Sequence, residues 1–205
     1  MNNVELCGKV VSGLTESERL VGEVIYTFEL AVKRTSGAND TIVCRVSDRV
    51  SGFKDLAQNK GVYVKGRFAS HTEITENVSR LHLTVFIETI EQVYNEGEPY
   101  SDINSIRVLG TVSKIKELKN TGTRVIQEMN LLVPRKTQKT DLLPVVAWGR
   151  TATYCNESLN INDTILINGR IQSRDRVGTN NEAYRLYSVS VLSLEVVDDA
   201  EAVNE

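Results

Sequence analysis

The feature that most constrains this chain is a repeat with a period of about half its 205 residues. Gly66-Arg67, inside the apolar run 61–70, returns 103 positions later as Gly169-Arg170 inside 164–173. Residues 4–11, built around Gly8, match 104–112 around Gly110 at a shift of 102. Residues 26–34 end in Lys33-Arg34 and match 128–136, with Arg135-Lys136, so that Arg34 falls on Arg135 at a shift of 101. Shifts that drift so little confine insertions to loops, as two copies of one core require. Copies of roughly a hundred residues are each large enough to bury their own core.

Within each copy the periodicity is that of strands. Residues 4–11 and 104–112 alternate, and their internal glycines mark bends of the kind that let a sheet curl. Residues 26–34 and 128–136 alternate again. The third strand of the second copy, 143–150, is an apolar run ending in Trp148-Gly149-Arg150, with the chain's only tryptophan. Its weaker echo is 42–49, where Val46 takes the place of Trp148 and Arg49 follows three positions on. Short helical segments come next, at 50–60 and 151–162, about two or three turns each. The fourth strands, 61–70 and 164–173, lead into polar loops at 71–79 and 174–182. The last strands are 81–93 and 184–197. Five strands with glycine bends and one helix between the third and fourth are the order of an OB-fold barrel. The expectation is an all-β chain of two tandem five-stranded OB-fold barrels. The first domain is placed at 1–94, a linker containing Pro99 at 95–103, the second domain at 104–197, and an acidic tail at 198–205.

Charge separates the copies. Residues 1–99 carry 11 Lys and Arg against 14 Asp and Glu, whereas residues 100–197 carry 13 against 9. The tail adds Asp198, Asp199, Glu201 and Glu205, so the total of −3 hides a cationic second copy. Cys7, Cys44 and Cys155 are odd in number and outside any metal-ligand spacing, which reads as unpaired core thiols in a reducing compartment. With only His71 and His82, read as a loop residue and a strand-surface residue, neither a zinc site nor a histidine triad is expected. No catalytic residue, metal or cofactor is therefore assigned. No segment has the apolar length of a membrane span, and the polar start 1–5 shows no signal-peptide pattern. The expected place is the cytoplasm, with no membrane partner.

The second copy resembles the bacterial single-stranded DNA-binding protein family. The resemblance is carried by Asn104 with Val108-Leu109-Gly110, by the block from Val145 to Arg150, by the block from Asp163 to Arg170, and by Tyr184. The first copy keeps Asn3, Leu6-Cys7-Gly8 and the block from Val62 to Arg67, but its central strand lacks the aromatic-Gly pair. The resemblance implies binding and coating of single-stranded DNA without catalysis, in replication, recombination, repair or mobile-DNA transfer. It also implies a working unit of four OB-folds, which two copies of a tandem chain reach as a homodimer. A second reading stays open: a primosome-like OB module whose partners are replication or repair proteins, with the acidic first copy as the interface. RNA is left open as an alternative strand.

Bases stack on aromatic platforms while cations track phosphates, and these requirements select the candidates. Trp148 reads as a stacking platform or a core side chain, and Arg150 as a phosphate contact or a solvated strand end. Tyr154 is a further stacking candidate. Lys114, Lys116, Lys119 and Arg124 lie on the connection between the first two strands of the second copy, with Glu117 in opposition. Arg135, Lys136 and Lys139 form a second cluster on the next loop. Arg174, Arg176 and Arg185 form a third, interleaved with Tyr187, which reads as a platform or as core. The phosphate grip is thus expected on 113–125, 136–142 and 174–183. Arg170 and Arg67 contact DNA or pair with a barrel carboxylate. In the first copy Arg34 and Lys65 are further candidates, beside the aromatics Tyr26, Phe28, Tyr63 and Phe68. That copy binds weakly, or it serves dimerisation and protein contact.

Overall fold

The structure is a computed structural model that describes residues 1–75, 78–178, 181 and 183–197; the acidic tail 198–205 lies outside the described residues. The chain forms two compact units, Asn3–Ser105 and Ile106–Glu205 together with Met1–Asn2.

The first unit contains β1 (Asn2–Val10), β2 (Thr15–Leu20), β3 (Glu23–Lys33), β4 (Asn39–Ser47), β5 (Gly61–Thr75) and β6 (Val78–Tyr94), with a single 3-10 turn at Phe53–Asp55. β1 pairs with β5 from Val4 to Lys9 and then with β3 through Lys9 and Val10. β3 pairs with β4 and β5 with β6, both antiparallel, and a parallel pair between β4 and β6 closes the barrel. One strand serves two neighbours only if it bends sharply, and Gly8 sits at that bend. A Cβ there would lie 2.4 Å from the Ala31 carbonyl oxygen, so the close approach requires glycine.

The second unit repeats the circuit with β7 (Ile103–Ile115), β8 (Lys119–Asn120), β9 (Val125–Pro134), β10 (Thr140–Trp148), α1 (Gly149–Ser158), β11 (Thr164–Val177) and β12 (Ala183–Val196). β7 bends from β11 to β9, and a Cβ on Gly110 would meet the Leu132 carbonyl oxygen at 2.6 Å. The parallel β10–β12 pair closes this barrel. Alternation supplies both cores: Leu6, Phe28, Leu30, Ile42 and Phe68 in the first, and Ile106, Leu131, Leu143, Ile165 and Ile171 in the second are almost fully buried. Each such side chain contributes about 2 kcal/mol by leaving water.

Strand reaches into both expected loops, 71–79 and 174–182: β5 runs to Thr75 and β6 starts at Val78, while β11 runs to Val177 and β12 starts at Ala183. The β11–β12 ribbon continues past its barrel through exposed and half-buried residues on both faces, so the alternation that marks a strand in sequence has nothing to select it. His71, read as a loop residue, faces His82 across the first ribbon. The polar connection after β1 likewise contains the fully exposed strand β2. The helix read at 151–162 lies at Gly149–Ser158, and the segment at 50–60 yields only the 3-10 turn, with Gly52 at φ 83° before it. The stretch read as a linker packs on the first unit: Tyr100 lies 5.4 Å from the Tyr94 ring, and Asp102 accepts the Lys33 amide at 2.8 Å.

Candidate nucleic-acid interface

On β10, Leu143, Val145 and Ala147 point into the barrel, so Leu142, Pro144 and Trp148 point away from it. Directly opposed residues share a face, which extends this surface across the sheet. Trp148 opposes Ile126 on β9, and Ile126 opposes Lys119 on β8, forming one row on three strands. On the other side Val146 is level with Ser190 of β12, and the Trp148 indole Nε1 donates to Ser190 Oγ at 3.1 Å. Trp148 thus stands half-buried on the outer sheet surface and not in the core.

The β11–β12 ribbon continues that surface. Its register sets Arg170 against Ser190, Arg174 against Leu186 and Arg176 against Tyr184. The Arg174 guanidinium carbon stands 5.2 Å from the centre of the Trp148 ring, a cation–π contact. Tyr184 and Leu186 are 48% and 49% exposed on this face, so the aromatic and apolar patches stand in water beside cations. The opposite face carries Ser173 against Tyr187 and Asp175 against Arg185, with Arg185 Nε donating to Asp175 at 2.7 Å. The structure therefore does not bring Tyr187 or Arg185 to the Trp148 surface. Tyr184 lies on the Trp148 side of β12 and Tyr187 on the other. The sequence alone carries no signal for this, because the face is counted from Ser190, which meets Trp148 only through the parallel β10–β12 pair.

Glu128, opposite Val146, is the acid within the surface. Its carboxylate accepts from Lys116 Nζ at 2.7 Å and Lys119 Nζ at 3.0 Å, and these two bonds, Lys116 first, hold its carboxyl below the ordinary range. Lys114 opposes Asn130 nearby and is exposed. Arg124 is exposed at the turn where Thr121 bonds its backbone. Lys136 and Lys139 are exposed in the β9–β10 turn, at the opposite end of β10 from Trp148 and about 27 Å along the strand. Arg150 and Tyr154 are exposed four residues apart on α1. The helix starts at Gly149, and its N-cap residue Trp148 makes no side-chain capping hydrogen bond.

Arg135 has a different setting. Its Nε donates at 2.9 Å to Asp141, a carboxylate whose side chain is 1% exposed, and its Nη2 bonds the same group. In the first unit Arg34 makes the same fork to Asp40, Nε at 2.8 Å. Each fork ties the two strands of a hairpin together at its turn, so these arginines are staples of the barrel with only their outer edges toward solvent.

The corresponding surface of the first unit is built otherwise. Ile25 opposes Ser47 as Ile126 opposes Trp148, so Ser47, not Val46, stands in the tryptophan's place; Val46 is core. Ser47 Oγ donates to Glu23 at 2.7 Å. Glu18 pairs with Ile25 where Lys119 pairs with Ile126, and it binds Arg45 at 2.6 Å. Phe28 and Phe68 are core, and Tyr26 packs on Phe53 at 4.9 Å. Lys65 lies 3.8 Å from Glu91, and Arg67 lies over the Phe86 ring at 5.1 Å with Glu88 at 3.9 Å.

Burial raises the thiol pKa of Cys7 and of Cys155 to about 11 and that of Cys44 further, and all three are free. Among the described residues no group of three His, Cys, Asp or Glu is placed to hold a metal ion, and no helix is long and apolar enough to cross a membrane.

Residues 103–197 match the model of the Single-strand binding protein family. Among solved structures the chain is similar to the wild-type single-stranded DNA binding protein from Thermus aquaticus, with a TM-score of 0.77 at 20% identity over 97% of this chain and 93% of that one. A deletion mutant of the same Thermus protein gives a TM-score of 0.77 at 20% identity over 97% and 95%. The N-terminal domain of the PriB protein from Thermoanaerobacter tencongensis matches at 32% identity over 46% of this chain and 98% of that one, with a TM-score of 0.38. No curated protein matches by sequence. The barrel order of each unit and the structural likeness over 97% of the chain give two tandem OB-folds, and residues 103–197 match the single-strand binding protein family.

Proposed function

We propose that this chain binds and coats single-stranded DNA without chemistry, using the outer surface of its second unit, in replication, recombination, repair or DNA transfer. The observation that carries this reading is the row Lys119–Ile126–Trp148, flanked by Arg174 and by the Arg176–Tyr184 pair. A stacked base adds about 1–3 kcal/mol and accepts any sequence, because every base has a π-face. Trp148 and Tyr184 supply the platforms, while Lys114, Lys116, Lys119, Arg170, Arg174 and Arg176 line the path of the phosphates.

The first unit fits a different task. With Ser47 and Glu18 at the positions of Trp148 and Lys119, it offers no platform in that row and a carboxylate where a phosphate would pass. We infer that it works through protein contact, including assembly of two chains and docking of replication or repair proteins.

Titration of the full chain with oligothymidine, followed by Trp148 fluorescence at several salt concentrations, tests the main reading. The expected result is quenching with an affinity that falls as salt rises, by about 0.7 in log–log slope per phosphate engaged. Absence of quenching and of salt dependence refutes it. Competition with a matched RNA strand decides the sugar preference, and mass in solution tests the homodimer.

A further inference from the structure

We propose that Arg174 is a displaceable lid on Trp148: a base takes over the ring position the guanidinium now occupies, and the released cation moves to the strand's phosphate. The inference rests on the DNA-binding reading of this surface and names the residue that regulates access to it. Three observations support it. Arg174 lies over the indole at 5.2 Å, the position a stacked base would need. The ring is fixed independently, because Nε1 donates to Ser190 Oγ at 3.1 Å, so the platform stays in place when Arg174 leaves. Leu186, opposite Arg174, is exposed and offers an apolar flank to an incoming base.

A stacked base replaces the half-buried cation–π contact, and a guanidinium moved beside a phosphate gains a charge-assisted, fork-shaped hydrogen bond. One side chain thereby couples stacking to phosphate capture. In the free protein the same contact covers a large aromatic surface that would otherwise face water.

The test uses the full chain, oligothymidine as the strand, and the variants Arg174→Ala and Arg174→Lys. In the free protein both substitutions are expected to increase quenching of Trp148 by acrylamide. For Arg174→Ala the salt slope of binding falls by about 0.7. Its affinity is weaker than the parent's at low salt, where the lost phosphate contact dominates, and tighter at high salt, where only the lid's competition remains. Arg174→Lys keeps the parent's slope, because an ammonium still reaches a phosphate but covers the ring poorly.

Weaker binding of Arg174→Ala at every salt concentration, with the slope reduced, makes Arg174 a plain phosphate contact and overturns the lid. Unchanged acrylamide quenching or an unchanged slope also overturns it. A parent chain that shows neither quenching nor salt-sensitive binding removes the DNA-binding reading itself, and the lid with it.

Discussion

Replacing Glu128 by glutamine changes both the fold and the proposed grip, in opposite directions. Glu128 holds Lys116 and Lys119 at 2.7 and 3.0 Å. Its pKa is lowered by these contacts, so the stabilisation is fully present above the unfolded carboxyl pKa of about 4.3 and is lost as pH falls through the lower folded value. Partly exposed ion pairs of this kind contribute roughly 0.2–1 kcal/mol each, which sets the cost of Glu128→Gln at about 1 kcal/mol near neutral pH. The loss should fade in acid, where the parent's carboxyl is protonated.

Binding is expected to improve, because two ammonium groups are released onto the surface that carries Trp148. Each that reaches a phosphate adds about 0.7 to the salt slope, and at about 0.1 M salt this is a fivefold gain for one contact and about 25-fold for two. Oligothymidine titrations by Trp148 fluorescence across a salt series measure both quantities. Unchanged slope together with unchanged or weaker affinity would refute the placement of the strand over Lys116 and Lys119.

Two further substitutions separate scaffold from surface. Asp141→Ala leaves the Arg135 guanidinium, itself 22% exposed, without its buried carboxylate and is expected to cost about 3 kcal/mol in urea unfolding followed by Trp148 fluorescence; a cost under about 1 kcal/mol contradicts the staple. Tyr184→Ala should weaken oligothymidine binding about 5- to 100-fold, the worth of one stacked base, whereas Tyr187→Phe leaves it unchanged. The reverse pattern puts the strand on the other face of the β11–β12 ribbon.

The barrels were legible because their strands obey one local rule: a side chain every second position enters the core. Gly8 and Gly110 were legible as bends for a related reason, since a glycine inside such a run has few other uses. Reading failed where the core stops selecting. The described end of the β11–β12 ribbon and β2 are wetted on both faces, so strand and loop look alike in composition. In sequence Arg34 and Arg135 read as phosphate contacts, and their pairing with the buried Asp40 and Asp141 is not visible there because those acids lie six residues on, across a turn. The Arg-to-Asp spacing recurs in both copies.

By itself the sequence determined the duplication, the five-strand barrel order and the charge contrast between the copies, since each follows from residue identity and short-range periodicity. Only the tertiary structure decided which residues share the surface with Trp148. Ser190 lies 42 positions away and is neighbour to the indole through a parallel strand pair. Arg174 and Tyr184 reach that surface while Tyr187 and Arg185 face the other way, according to the register of a ribbon. Register and strand order are set by the closing of the whole barrel, and pairing across the barrel determines which face, and which partner, a charged or aromatic side chain meets.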